Sequence, residues 1–341
     1  MRPIEIDGEC EPIPVALVGD AGYIVGGDGN NIRRWRVDDG REVGEPMDAG
    51  EFVSSIAVSR DGKWIVCGMT NGQVAVWNAE SREKVSEDKG HGDNWVWAVD
   101  ISPDATRVVS GADDRNVRIW SRSTGEQLLG PFEHDFEVAA VKFSPDGQFI
   151  ATATLERKSI RVYDSRNGRL LFDNPIMVGV GLNQSLAWVS DSKQLFALSD
   201  DGRVRCLDMP TGRILSAWAI HGYNFRCIAL ASNGAFIAAS ANSSVSFWDT
   251  ATHKQIGPLI RYRDNVEDMA ISANGDLVIS RVGTIILWKL PDILPSSYFD
   301  DVGVFRSQRD PIHHDPLTAS VFMLALPRVP LTGLRLSMFI R

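Results

Sequence analysis

Short apolar segments alternate with polar turns along most of the chain. Residues 91–132 show one full unit, in which turns separate the segments WVWAVDIS, RVVSGA, VRIWSR and QLLGPF. The segments are rich in Val, Ile and aromatic residues, whereas Asp, Asn and Gly fill the turns, as expected where an extended chain reverses direction. Each unit therefore predicts an antiparallel meander of four short strands.

The unit repeats at a nearly constant period. A bulky residue ends the third segment of each unit, and successive positions are 40 to 44 residues apart: Trp35, Trp77, Trp120, Tyr163, Leu207, Trp248 and Trp288. Runs such as FIATATL lack clean alternation, which indicates strands covered on both faces. A period of this length means stacked supersecondary units. The pattern predicts an all-β fold, a seven-bladed β-propeller of four-stranded antiparallel blades.

One unit also carries a motif of polar side chains. Its members are His91, Ser110, Asp114 and Trp120. In type and spacing these residues resemble a WD repeat, and the same frame covers residues 1–290 in weaker form. The Trp-Asp dipeptide itself occurs once, at Trp248–Asp249. The chain thus resembles the WD-repeat β-propeller family, including fungal and bacterial WD-repeat proteins and the sensor propellers that end large multidomain signalling NTPases.

The resemblance implies how the ring closes. In WD-repeat proteins the N-terminal strand usually completes the last blade, and here PIEI (residues 3–6) precedes the first unit while the last unit ends near Trp288 without a fourth segment. Closure of this kind would remove an open sheet edge. We expect a propeller over residues 1–290 and an irregular C-terminal tail over 291–341, disordered or loosely attached. The alternatives for the tail are a translated intron or shifted reading frame and, last, a partner-docking segment.

The residue types of the motif also match a hydrolase triad. The resemblance implies instead that His91, Ser110, Asp114 and Trp120 form a buried structural hydrogen-bond network, in which an indole N–H needs an acceptor and a hydroxyl can both donate and accept. Such a network would leave no exposed nucleophile and no oxyanion hole. We therefore expect no catalytic residues and no enzyme activity.

Composition narrows the function classes further. The formal net charge of −9 disfavours nucleic acid and anionic membranes as partners. The four cysteines form no C-x-x-C pair, so neither zinc nor a disulfide framework is predicted. The first residues, MRPIEIDGEC, lack the apolar core of a signal peptide, and no apolar run reaches about 18 residues. We therefore expect the cytoplasm, with the nucleus as the alternative. Glycine-rich segments lack the Lys-Ser/Thr of a phosphate loop, and no metal or other cofactor is predicted.

The best binding-site hypothesis lies where the inner strands begin. Counting seven residues back from the turn serine of several units reaches Phe52, Trp95 and Phe225, and Phe136 is one residue off. In WD-repeat proteins these positions surround the mouth of the central channel. Aromatic residues and Arg are favoured in interfaces. The predicted partner-binding residues are Phe52, Trp95, Phe136, Tyr223, Phe225, Arg226 and Tyr262, although any one ring could instead pack between blades.

The predicted function is a non-catalytic protein–protein interaction platform, or scaffold, that binds a peptide or domain on this loop face. One alternative is a sensor-propeller fragment of a larger signalling NTPase. A propeller enzyme would need convergent polar groups in the channel mouth, and an RNA-binding propeller would need a basic face.

Overall fold

The computed structural model describes residues 3–7, 14–18, 22–155, 159–174, 185–199, 201–209, 211–220, 225–281 and 283–299. Within this part of the chain, 28 strands form seven sheets of four strands, and neighbouring strands in each sheet pair antiparallel. The sheets are the blades of a propeller, as the period of the sequence predicts.

The first strand of the chain is β1 (Ile4–Asp7), which belongs to the last blade. Blade one contains β2 (Val15–Val18), β3 (Tyr23–Asp28), β4 (Asn31–Arg36) and β5 (Met47–Asp48). Blade two contains β6 (Val53–Val58), β7 (Trp64–Met69), β8 (Val74–Asn78) and β9 (Lys84–Asp88). Blade three contains β10 (Val96–Ile101), β11 (Arg107–Ala112), β12 (Asn116–Ser121) and β13 (Gln127–Glu133).

The remaining blades repeat this order. Blade four contains β14 (Val138–Phe143), β15 (Phe149–Thr154), β16 (Ile160–Asp164) and β17 (Leu170–Asn174). Blade five contains β18 (Leu186–Trp188), β19 (Gln194–Leu198), β20 (Arg203–Asp208) and β21 (Ile214–Ala219). Blade six contains β22 (Phe225–Leu230), β23 (Phe236–Ala241), β24 (Ser244–Asp249) and β25 (Gln255–Arg261). Blade seven contains β26 (Val266–Ile271), β27 (Asp276–Arg281) and β28 (Thr284–Lys289), and β1 completes it.

Side chains on the two faces of one blade enter two different cores. In blade three, Val108 and Trp120 pack in a cluster with Val66 of blade two. Val109 and Ile119, on the opposite face, pack in a cluster with residues of blade four. Because successive residues of a strand point to opposite faces, a strand between two neighbours must be apolar at nearly every position. This explains the continuous apolar runs of the sequence.

The ring closes through the N-terminal strand, as predicted. The inner strand β2 contacts the inner strands of both of its neighbours, β6 and β26. Strand β1 pairs with β28, with Ile4 opposite Leu287 and Ile6 opposite Ile285. Ile6 is 7% exposed and packs in the core shared by blades seven and one. Closure therefore pairs an edge that the last blade would otherwise leave open.

Serine and aspartate organise the turns that follow the inner strands. In blade two the Ser59 hydroxyl donates to Asp61 at 2.6 Å and accepts from the Trp64 amide at 3.0 Å. Gly62 completes this turn with φ of +72°, a conformation that costs glycine little. These bonds fix where the inner strand of blade two ends, and hence the register of that blade.

The chain continues on blade six beyond the last strand. Two short 3₁₀ helices, Leu290–Asp292 and Ser296–Tyr298, follow β28. Leu290 and Leu294 are buried in the core of blades six and seven, and Phe299 packs edge-on against Phe236. Residues 291–299 of the predicted tail thus lie on the propeller, and the tail from residue 300 onward lies outside the described residues.

Candidate functional site

The four motif residues of blade three form one chain of hydrogen bonds. Trp120 Nε1 donates to Ser110 Oγ at 2.8 Å, and Ser110 Oγ lies 2.6 Å from His91 Nε2. His91 Nδ1 in turn lies 2.9 Å from the Asp114 carboxylate. The bonds connect the loop before β10 with β11, with the β11–β12 turn and with β12. They join segments that are distant in sequence, which stiffens the blade.

Burial and charge fix the role of this network. His91, Ser110 and Trp120 are at most 3% exposed. Burial alone would raise the pKa of Asp114, but the hydrogen bonds and charges of His91 and Arg118 lower it to about 2, so the carboxylate is ionised at neutral pH. Because the Ser110 hydroxyl is buried and bonded on both sides, this triad-like set supports the blade and presents no nucleophile to a substrate.

In two other blades the indole N–H of the equivalent tryptophan donates to a different acceptor. Trp248 Nε1 donates to Ser246 Oγ at 2.8 Å, and Trp288 Nε1 donates to the Tyr262 hydroxyl at 2.8 Å.

Blade four has a histidine at the position of His91 but no tryptophan at the position of Trp120. Its His134 Nε2 lies 2.9 Å from Thr152 Oγ1. Burial lowers the pKa of His134 to about 4, so its ring is neutral at pH 7 and can accept from the threonine.

The predicted binding face, here called the strand-start face, is the face on which the inner strands begin. Trp95 lies there immediately before β10 and is 47% exposed. Its ring centroid is 5.1 Å from that of Trp97. Trp97 donates its indole N–H to Asp113, whose own amide donates to the Trp95 carbonyl at 3.0 Å. The exposed Trp95 ring therefore packs against Trp97, whose ring is held in place by its hydrogen bond to Asp113.

Phe52 occupies the same position in blade two. It precedes β6 as Trp95 precedes β10, and its carbonyl accepts from the Thr70 amide at 3.1 Å. The Ser54 hydroxyl donates to the Val96 carbonyl at 2.7 Å, which ties the starts of the two inner strands together. Phe52 is half-buried. Neighbouring blades thus place two predicted aromatic residues at equivalent positions.

Blade four matches the prediction one residue out of step. Glu137 stands where Trp95 stands in blade three, and its carbonyl accepts from the Leu155 amide at 2.9 Å. Phe136 precedes it and is half-buried. The strand-start face of blades two to four therefore carries Phe52, Trp95, Glu137 and Phe136.

In blade six the count from the turn serine is off by one. Phe225 pairs with Ala241 as Val96 pairs with Ala112, so Phe225 corresponds to Val96 and not to Trp95. The reason is that Ala231, and not Ser232, begins the turn, since its amide donates to the Phe236 carbonyl. The residue equivalent to Trp95 is Asn224, which, with Tyr223 and the Phe225 side chain, lies outside the described part.

Arg226 and Tyr262 have partners within the protein. Arg226 forms an ion pair with Glu267 of blade seven. Tyr262 accepts from Trp288, packs against the core of blades six and seven, and has its pKa raised by burial. Both side chains thus make contacts within the protein at the junction of blades six and seven, whereas the Trp95 side chain is exposed.

Two contributors to this face were missing from the predicted set. Trp97 and Asp113 brace Trp95, and the register shift between Val96 and Ala98 accompanies this arrangement. A bulge of this kind re-aims a side chain at the end of a strand. The signal in the sequence was the spacing WVW, because two tryptophans two residues apart share a side of an extended chain.

Asp113, the acceptor of the Trp97 indole N–H, lies near two further carboxylates. Burial, together with the carboxylates of Glu137 and Asp114, raises the pKa of Asp113, and the hydrogen bond from Trp97 opposes this increase.

Among the described residues, no three His, Cys, Asp or Glu side chains are grouped to hold a metal ion. The helices in the described part are all too short or too polar to cross a bilayer.

The repeats also match a known family. The family described as "WD domain, G-beta repeat" matches residues 46–78, 82–121, 126–164 and 212–249. Each match runs from the outer strand of one blade to the third strand of the next. Together with the closed ring of seven four-stranded blades, this shows that the chain belongs to the WD-repeat β-propeller family. Propellers of this family are usually non-catalytic and generally bind proteins.

Individual relatives are distant. The chain is 26% identical over 76% of its length to "Periodic tryptophan protein 2 homolog" of Dictyostelium discoideum, of which it covers 28%. It is 28% identical over 50% of its length to "Eukaryotic translation initiation factor 3 subunit I" of Botryotinia fuckeliana, of which it covers 52%. It is 22% identical over 64% of its length to "Apoptotic protease-activating factor 1" of Rattus norvegicus, of which it covers 17%. The chain thus spans about half or less of these relatives.

Proposed function

We propose that this propeller is a non-catalytic protein–protein interaction platform that binds a peptide or domain on its strand-start face. The observation that carries the proposal is Trp95, a tryptophan that is 47% exposed and whose ring packs at an inclined angle against Trp97. A rigid, exposed indole supplies a large contact area at little cost in side-chain entropy, and tryptophan is enriched among interface hot spots.

The surroundings of Trp95 support the same conclusion. Phe52 and Phe136 lie at the inner-strand starts of the two adjacent blades, so three consecutive blades contribute aromatic surface. The bonds from Asp113 to Trp95 and from Thr70 to Phe52 hold this backbone in place. A pre-ordered surface loses little entropy on binding. The proposed partner is therefore a protein or peptide, with the cytoplasm or nucleus as the expected compartment.

A second candidate function has one observation in its favour. The rat relative matches over only 17% of its own length, as a propeller joined to other domains would. A sensor-propeller fragment of a larger signalling NTPase would use the same strand-start face, so this alternative changes the context of binding and not its site.

The test is a quantitative pull-down from native-host lysate with the intact chain and two variants. Trp95→Ala removes the exposed indole, and Leu128→Ala removes an apolar side chain that is equally exposed, at 49%, on the outer strand of the same blade. Circular dichroism and thermal melting first establish that all three proteins are folded.

We expect proteins that the intact chain and Leu128→Ala retain and that Trp95→Ala loses. Identical lists from all three proteins would contradict binding through Trp95. Turnover in hydrolase assays that is lost on mutation of this face would favour the enzyme alternative, and salt-sensitive RNA binding would favour the nucleic-acid alternative.

A further inference from the structure

The exposed Trp95 and the half-buried Trp97 of blade three lie beside carboxylates that few cations neutralise. Asp113 accepts the Trp97 indole N–H, and Glu137 and Asp114 both act on its charge. Within the described residues, Asp114 is paired with His91 and Arg118, whereas no ion pair is described for Asp113 or Glu137. Arg115 is exposed in the same turn and is the cation that a ligand would meet there.

An indole face and a nearby carboxylate attract the same kind of group. The ring quadrupole draws a cation to the face of tryptophan, and the carboxylate pairs with it at the edge. Trp95 leaves 47% of its surface open for such contact. The net charge of −9 adds a long-range field that favours the approach of positive ligands.

We propose that the partner bound at Trp95 is a basic peptide segment, with a Lys or Arg side chain over the Trp95 indole and its charge facing Asp113 and Glu137. This inference rests on the proposed function, because it names the chemistry of the partner that the strand-start face binds. Charge complementarity and the open indole select this partner over an acidic or purely apolar one.

The probe is an array of several thousand random 12-residue peptides, exposed to the intact chain at 50 and 200 mM NaCl. Three variants are compared with it: Trp95→Ala, the double variant Asp113→Asn/Glu137→Gln, and the control Glu126→Gln/Asp191→Asn. The control removes the same two charges from exposed turns on the opposite face, so it separates local pairing from net charge.

We expect the peptides lost by Trp95→Ala to be enriched in Lys and Arg. Their signal should fall about tenfold in the Asp113→Asn/Glu137→Gln variant, which corresponds to the loss of a partly desolvated cation contact. It should change less than about twofold in the control, and it should weaken at 200 mM NaCl because salt screens the pairing. Arg115→Asn should strengthen the same peptides, since it removes a competing cation.

The outcomes separate the two proposals. Peptides that Trp95→Ala loses but that show no basic enrichment, or that ignore the loss of both carboxylates, would overturn the basic-partner inference and leave the binding face standing. Binding that survives Trp95→Ala, or no binding by the intact chain, would overturn the proposed function and the inference with it. Equal losses in the double variant and its control would mean that net charge acts alone, and would also overturn the inference.

Discussion

Blades three and six contain the same bond and use it differently. In each, a buried indole N–H donates to a serine hydroxyl at 2.8 Å, from Trp120 to Ser110 and from Trp248 to Ser246. Ser110 lies on the neighbouring strand and continues to His91 and Asp114, whereas Ser246 lies two residues before Trp248 on the same strand. The first bond belongs to a network that joins four segments, whereas the second joins two residues of one strand.

Blade six has a different support. Asp249, the aspartate of the only Trp-Asp dipeptide, accepts from the Tyr298 hydroxyl at 2.7 Å. Asn233 donates to the Tyr298 carbonyl at 2.8 Å, and the Tyr298 and Phe299 rings pack edge-on against Phe236. The segment after the last strand thus supplies cross-links that the blade's own side chains do not. The presence of the Trp-Asp dipeptide in a blade therefore does not indicate which hydrogen bonds stabilise that blade.

The largest expected effect is the same for both blades. Trp120→Ala and Trp248→Ala should each lower the free energy of unfolding by about 3–5 kcal/mol, because each opens a large cavity in a packed interior. Urea unfolding followed by circular dichroism measures both. A loss much smaller for Trp248 would mean that blade six collapses around the cavity and is less tightly packed than blade three.

Removal of the serine hydroxyls should separate the blades. Ser110→Ala leaves both the Trp120 N–H and His91 Nε2 without a partner and should cost about 2–4 kcal/mol, because each buried polar group left unsatisfied is destabilising. Ser246→Ala removes the serine acceptor of the Trp248 N–H and should cost about 1–2 kcal/mol. The two variants are compared in the same urea titration. Equal losses of unfolding free energy in the two variants would contradict the view that the Ser110 bond, as part of a network, stabilises its blade more than the Ser246 bond does.

Acid should remove the stabilisation that the Asp114 carboxylate gives to blade three, whereas the bond between Trp248 and Ser246 contains no titratable group. The pKa of Asp114 is lowered to about 2 in the folded protein, so its stabilising effect is present above the ordinary carboxyl pKa and is lost as pH falls through about 2. Asp114→Asn should therefore cost roughly 2 kcal/mol at pH 7 and progressively less towards pH 3. Unfolding of both proteins at the two pH values tests this. A cost independent of pH would show that the charge is unimportant.

The smallest effect concerns the support of blade six. Tyr298→Phe removes the bond to Asp249 and should cost about 0.5–1.5 kcal/mol. Hydrogen exchange should accelerate in β23 and β24 and stay unchanged in β11 and β12. Tyr23→Phe, in blade one, is the matched control. Faster exchange throughout the ring would contradict a local role for this segment.

The repeat could be predicted because its causes are local. Turn residues, alternation and the spacing of Trp35 through Trp288 reflect strand geometry alone, and the strand PIEI was identifiable from the missing fourth segment of blade seven. The acceptors of Trp248 and Trp288 were not predictable. They depend on which hydroxyl the packing brings near, and no pattern in the sequence showed that the Tyr262 hydroxyl accepts from Trp288.

The positions of the residues assigned to the strand-start face could be predicted only in part, for a related reason. Phe52 and Trp95 follow the shared register, whereas blade six begins its turn at Ala231 and displaces Phe225 by one position. A one-residue shift turns every side chain to the other face of a strand. Counting from a serine could not detect this shift, because Ser232 itself lies inside the turn.

Recognition through the strand-start face is tested most directly by the dissociation constant of a captured partner, measured by calorimetry against the intact chain, Trp95→Ala and Leu128→Ala. We expect Trp95→Ala to weaken binding by about 10–100-fold, as the loss of an interface hot spot does. Leu128→Ala should bind as the intact chain does. Equal dissociation constants for all three proteins would contradict the claim that this propeller recognises its partner through the strand-start face.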